Sequence, residues 1–225
     1  MARLSGVRRA APSAAPELVL SRLLPQLYDP RRLDSLERFS VLDFGRASAG
    51  SFDFFGQYRC RLSVLDAGSG LLRWSQRLEE RLAADEAPSP QQLRHELRGL
   101  LTAMEERQYH VVLLWDTLNH LHEYALPALA SLLRRHVHRD FLGHAFIAHK
   151  LPEPQELRHM GMRSPGEIRV FGREPARLYA HTRKIVNSTL GSDLRVRHAV
   201  LHGDGRLECI LCAGDGPEPR PVISV

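Results

Sequence analysis

Two short runs, Val41-Leu42-Asp43 and Val64-Leu65-Asp66, each carry an apolar stretch into a carboxylate. A carboxylate at a strand end can accept hydrogen bonds from paired hydroxyls or from turn amides, which no apolar side chain can do. Gly45 follows Asp43 closely, and without a Cβ it lets the backbone pass near a ligand. Farther on, the run His110 to Trp115, HVVLLW, leads into Asp116, with Asn119 and His120 just beyond. Asn and His are types that position or deprotonate a nucleophile, since imidazole titrates near neutral pH. Each residue also has a plainer role: aspartate caps helices, asparagine fills turns, and histidine sits in cores or on surfaces.

Other chemistries find less support. The twelve histidines include His120-x-His122 and His136-x-His138, but neither pair has the carboxylate-supported third ligand of a metal centre. Ser48 lacks a G-x-S-x-G setting, and neither G-x-x-x-x-G-K-[ST] nor G-x-G-x-x-G occurs. Cys209-x-x-Cys212 lies in an apolar run whose strand period turns the two thiols to opposite faces, so both read as structural.

These residues need elements to hold them. Glu17 to Leu27 places Leu20, Leu23, Leu24 and Leu27 on one helical face, with Pro25 breaking or restarting the helix, and a second short helix is expected over Pro30 to Glu37. A first strand follows over Ser40 to Phe44, then a helix carrying Phe52, Phe54 and Phe55 and closed by Gly56, then a second strand over Cys60 to Leu65. Leu71, Trp74, Leu78 and Leu82 mark one amphipathic helix, and Gln91 to Arg107 another. His110 to Trp115 is the most strand-like run, a helix spans Glu123 to His136, and Phe141 to His149 is a buried strand. Leu151 to Gly166 reads as a lid-like loop or an irregular segment, and Tyr179 to Leu190 as a helix. Leu194 to Leu201 and Arg206 to Ala213 flank His202-Gly203-Asp204-Gly205, a strong hairpin signal. Alternation of this kind specifies an α/β fold: a Rossmann-like, doubly wound, mainly parallel sheet with helices on both faces and a C-terminal antiparallel hairpin.

The tripeptide VLD leaves a choice of register. Its second copy continues as Asp66-Ala67-Gly68-Ser69-Gly70, but taking that as the first strand strands Ser40 to Phe44 outside the sheet, whereas the first register uses every segment.

The chain has 225 residues with ordinary hydrophobic (43%) and charged (25%) content, so it can bury one core; a single domain over 17–225 is the default reading. Met1 to Pro16 reads as a loose basic tail with some transit-peptide flavour. The net charge of +5 comes almost wholly from arginines interleaved with acids, which gives no concentrated nucleic-acid footprint. Three cysteines and no secretory segment suit a reduced cytoplasmic setting, and no apolar run reaches the roughly 20 residues of a membrane span.

In the adopted register, VLDFG, Asp66, YHVVLLWDTLNHL and VRHAVLHGDGRLECIL together resemble class I S-adenosylmethionine-dependent methyltransferases. In particular the chain is similar to a group of small bacterial methyltransferase-like proteins with a divergent first loop. The resemblance implies S-adenosylmethionine as cofactor and a methyl acceptor, or else a protein, as partner. It puts Asp43 and Gly45 at the loop around the methionine moiety, Asp66 on the ribose hydroxyls, and Trp115 and Asp116 beside cofactor and substrate. Methyl transfer itself would rest on proximity and orientation. Two departures point to an alternative, a catalytically inactive methyltransferase-fold protein that binds or scaffolds. Arg46, Ala47, Ser48 and Ala49 separate Gly45 from Gly50, and no third strand is legible between Asp66 and His110. Arg46 or Phe44 filling the adenosyl volume would favour that alternative.

Overall fold

The computed structural model describes residues 17–29, 33 and 36–214. The tail expected over Met1 to Pro16, and most of the helix expected over Pro30 to Glu37, lie outside these residues.

Strands β2 (Phe39–Asp43), β3 (Cys60–Val64), β4 (Tyr109–Trp115), β5 (Val137–Ala148), β8 (Leu194–Leu201) and β9 (Arg206–Ala213) form a six-stranded sheet in the order β3-β2-β4-β5-β9-β8. The first four pair in parallel, and β9 and β8 add the antiparallel hairpin, as the alternation of elements specified. Strand β4 shows why the sheet needs cover on both faces. Val112 and Leu114 enter one buried cluster while Val111, Leu113 and Trp115 enter the other, so alternate side chains bury oppositely.

Helices α2 (Gly68–Ala83), α3 (Pro90–Leu100), α4 (Leu126–His136) and α5 (Arg183–Leu190) contribute to the first cluster. Each stops where its chemistry changes. Ser89 and Gln92 close a reciprocal capping box on α3, with Pro90 in the first turn. That helix ends at Leu100, short of the expected Arg107, although Met104 still packs into the core. Thr182 caps α5, so the helix starts later than Tyr179; the segment before it is extended and bonds across strand ends, Tyr179 N to Asn119 O and His181 N to Ala148 O.

The second cluster lies under α1 (Ala49–Phe55) and an unforeseen second sheet, β1 (Glu17–Leu20), β7 (Glu167–Pro175) and β6 (Glu156–Ser164), in the order β1-β7-β6. Two expectations are corrected here. Leu151 to Gly166 is mostly strand β6, hairpinned to β7 through Pro165-Gly166. Glu17 to Leu20 is strand, because the free edge of β7 supplies backbone partners that a helix would forgo. The leucine spacing that suggested a helix is used by a short 3-10 helix over Leu24–Tyr28, with Pro25 in its first turn.

Candidate functional site

At the carboxyl edge of the parallel strands, the turn after β2 and the turn after β3 are zipped together. Leu65 N bonds to Asp43 O at 2.8 Å, Asp66 N to Gly45 O at 3.1 Å and Ala67 N to Phe44 O at 3.2 Å. The two carboxylates then part company. Asp66 is exposed at the mouth of the crevice, whereas Asp43 is fully buried behind it. Asp43 Oδ1 accepts the Gly45 amide at 2.8 Å and the Trp115 indole N–H at 2.6 Å, while Oδ2 has no partner. Burial pushes its pKa up to about 7 against the lowering effect of those two donors.

Trp115 is thereby turned onto the glycine turn. A Cβ on Gly45 would stand 2.7 Å from the indole Nε1, so the space that glycine leaves open is taken by the protein's own ring. Trp115 (φ 50°) and Asp66 (φ 47°) both occupy the left-handed region, at a cost of about 1–2 kcal/mol each for side-chain-bearing residues. Strain of this kind, concentrated at two strand ends, is typical of sites where surrounding structure over-determines the backbone.

Strand β6 closes what remains. Leu157 Cδ1 stands 3.0 Å from the position of a Cβ on Gly68, at the start of α2. Arg158 sends Nε and Nη2 to Asp116 Oδ2 at 2.8 and 2.5 Å. His159 reaches Glu174 of β7 at 2.9 Å and thereby holds that exposed carboxylate below its usual range. Farther along, Gly50 makes way for the Met162 carbonyl, and Gly161 for the Ser48 hydroxyl. Ser51 Oγ accepts the Met162 amide at 3.0 Å. Gly50 therefore admits the backbone of β6 and Gly161 admits the Ser48 side chain.

The space left among Gly45, Asp66, Trp115, Asp116, His120 and Arg158 is about 20 Å³. That is room for one water, against the ~300 Å³ or more of a pocket for a cofactor-sized ligand. Phe44 and Arg46, the two expected plugs, both line this remnant, Phe44 as part of the buried core and Arg46 while 3.8 Å from Glu174. The largest further share comes from Trp115, Leu157 and Arg158. The latter two lie in the segment expected as a lid-like loop or an irregular stretch; the alternation Ile168, Val170 after a Pro-Gly turn is the signal for the hairpin.

The remaining candidates divide. Asn119 clamps β5, donating to Phe146 O and accepting the Ala148 amide, both at 2.9 Å, which is structural work. His120 is buried with neither ring nitrogen bonded, and burial holds it neutral with a pKa of about 4. Asp116 Oδ1 is likewise without a partner. Among the described residues no cluster of three metal-ligating side chains occurs, and no helix is long and apolar enough to cross a membrane.

No family model matches the sequence, and no curated protein matches it significantly. Solved structures do. An S-adenosylmethionine-dependent methyltransferase from Clostridium acetobutylicum superposes with a TM-score of 0.51 at 9% identity, covering 87% of this chain and 93% of that one. The glycopeptide N-methyltransferase MtfA complexed with S-adenosyl-L-methionine gives 0.43 at 13%, covering 86% and 95%. The 1,6-didemethyltoxoflavin-N1-methyltransferase of Burkholderia thailandensis, with bound S-adenosylhomocysteine, gives 0.43 at 13%, covering 86% and 78%. The chain has a class I methyltransferase-like fold.

Proposed function

We propose that this chain is a methyltransferase-fold protein that acts as a binding module, its cofactor crevice occupied by its own strand β6. The observation that carries the reading is the 20 Å³ remnant between Asp66, Trp115 and Arg158, too small for an adenosyl group. S-adenosylmethionine does not fit the residues as they stand. Three contacts would have to break together to admit it: Trp115 on Asp43, Leu157 on Gly68, and Arg158 on Asp116.

A second reading, a methyltransferase acting on an unidentified acceptor, draws on the likeness of fold and on one local observation. Asp66 lies exposed at the crevice mouth beside Gly45, free to meet ribose hydroxyls once β6 withdraws. Calorimetric titration with S-adenosylmethionine and S-adenosylhomocysteine separates the two. The binding-module reading predicts no saturable heat; micromolar binding that vanishes in Asp66→Ala establishes the methyltransferase reading instead.

A further inference from the structure

On the sheet face opposite the second sheet, two concavities meet between α3, α4 and α5. The larger is an open groove of about 480 Å³ whose walls include Leu93, Tyr124, Pro127, Ala128 and Ile185. Tyr124 is 41% exposed, yet its ring is held in place by a hydrogen bond from the hydroxyl to Pro88 O at 3.3 Å. The smaller is a cleft of about 290 Å³ lined by Gln91, Arg94, His95 and Arg98 of α3 with Leu132 and Arg135 of α4. Arg94 lines both, so groove and cleft adjoin at that residue, the groove mainly apolar and the cleft cationic.

The cationic end is uncompensated. Among the described residues, Arg94, Arg98 and Arg135 have no carboxylate within ion-pair distance, whereas neighbouring Arg81 pairs with Glu96 at 3.0 Å. His136 alongside is held below its ordinary pKa by burial and then by the Arg98 charge, although Glu106 opposes this. The acid that does face the depression, Glu123, lies on the groove and not on the cleft. Converging like charges are destabilising unless an anion joins them, and guanidinium forks suit phosphate and carboxylate. The groove's volume falls in the range of small-molecule sites, with polar groups at one end to fix orientation.

We propose that groove and cleft together bind a single-chain anionic amphiphile, its acyl chain in the groove and its phosphate or carboxylate head among Arg94, Arg98 and Arg135. The proposal is independent of the crevice, which shares no lining residue with groove or cleft.

Isothermal titration of the full chain with dodecyl phosphate, below its micelle concentration, tests this. Saturable binding at one site is expected, at least 100-fold tighter than inorganic phosphate and absent for dodecyltrimethylammonium; laurate in a parallel titration tells which head is preferred. Arg94→Gln combined with Arg98→Gln should weaken binding at least 30-fold, and Ile185→Glu, at the apolar end, comparably. Both sets of positions are at least partly exposed, and circular dichroism verifies the fold. Equal binding by the double variant, or by the cationic amphiphile, overturns the proposal. So does failure of dodecyl phosphate alongside binding of an amphipathic Glu/Leu helical peptide, which would assign the groove to a protein segment.

Discussion

Arg158 reaches from the second sheet to the carboxyl end of β4 and sets its Nε 2.8 Å from Asp116 Oδ2. The pair is almost wholly buried, with side-chain exposures of 14% and 3%. It joins the second sheet to the first across the crevice at the carboxyl edge of the parallel strands, and it does so with a residue from the segment expected as a lid-like loop or an irregular stretch.

Arg158→Ala removes the one hydrogen-bond partner that the buried Asp116 carboxylate has among the described residues and should cost about 3–5 kcal/mol in urea unfolding. Replacing both members, Arg158→Met with Asp116→Leu, should recover most of that loss, because no uncompensated charge remains. A loss below 1 kcal/mol in the single variant would mean that the pair is solvated and holds nothing.

Gly45 and Gly70 should answer alanine in opposite ways. At Gly45 a Cβ would meet Trp115 Nε1 at 2.7 Å and Asp43 Oδ1 at 2.9 Å, so Gly45→Ala should destabilise by about 1–3 kcal/mol. Gly70 sits in α2 with nothing within 4 Å, so Gly70→Ala should stabilise by about 0.5–1 kcal/mol. Thermal melts of the two variants give the comparison, and equal effects would contradict the packing of Trp115 on the turn.

Asp43 supplies a pH signature. Its folded pKa, about 7, exceeds its unfolded value, so the folded state binds the extra proton and its stabilising effect fades as pH rises toward 7. Asp43→Asn removes that dependence. Between pH 5.5 and pH 8 the variant should gain about 2 kcal/mol on the wild type, measured as the difference between their unfolding free energies. His120 acts with the opposite sign: its folded pKa of about 4 lies below its unfolded value, so its stabilising effect is lost as pH falls from about 6.5 toward 4. Wild type alone therefore shows a muted slope in the overlap, and only the variant exposes the two contributions.

Glu208 anchors the start of the second sheet. It is fully buried, takes His144 Nε2 at 2.8 Å and His202 Nε2 at 2.7 Å, and accepts the Arg22 amide at 3.0 Å, the Leu23 amide and the Ser21 hydroxyl. These donors hold its carboxyl well below the usual range even though burial opposes them. Its stabilising effect is thus present above the ordinary carboxylate pKa and lost as pH falls below it. Glu208→Gln keeps the shape but cannot accept at both ends, so limited proteolysis should cut near Arg22 at least tenfold faster. Unchanged cleavage would show that strand pairing with β7 alone secures β1.

The parallel strands and the C-terminal hairpin were legible because β-branched and leucine runs, glycine turns and Asp204-Gly205 announce themselves locally. So was the missing third strand, since Gly68–Ala83 and Pro90–Leu100 carry helical stripes and nothing between them reads as strand. The second sheet was not legible. In β6, register shifts between His159 and Met160 and between Met162 and Ser164 break the period of two, and β1 is strand only because β7 offers an edge more than a hundred residues away. The site suffered in the same way. Asp43 and Asp66 could be found from strand ends, but that Trp115 would adopt φ 50° and cover Gly45 depends on a hydrogen bond spanning 72 positions.

Hydrogen–deuterium exchange of β6, with and without millimolar S-adenosylmethionine, addresses the central claim most directly. If β6 occupies the crevice, the amides of Leu157 to Met162 exchange slowly and at the same rate in both samples. Faster exchange there on adding S-adenosylmethionine, together with new protection at Asp43 to Gly45, would contradict the account, because it would show the ligand displacing the strand.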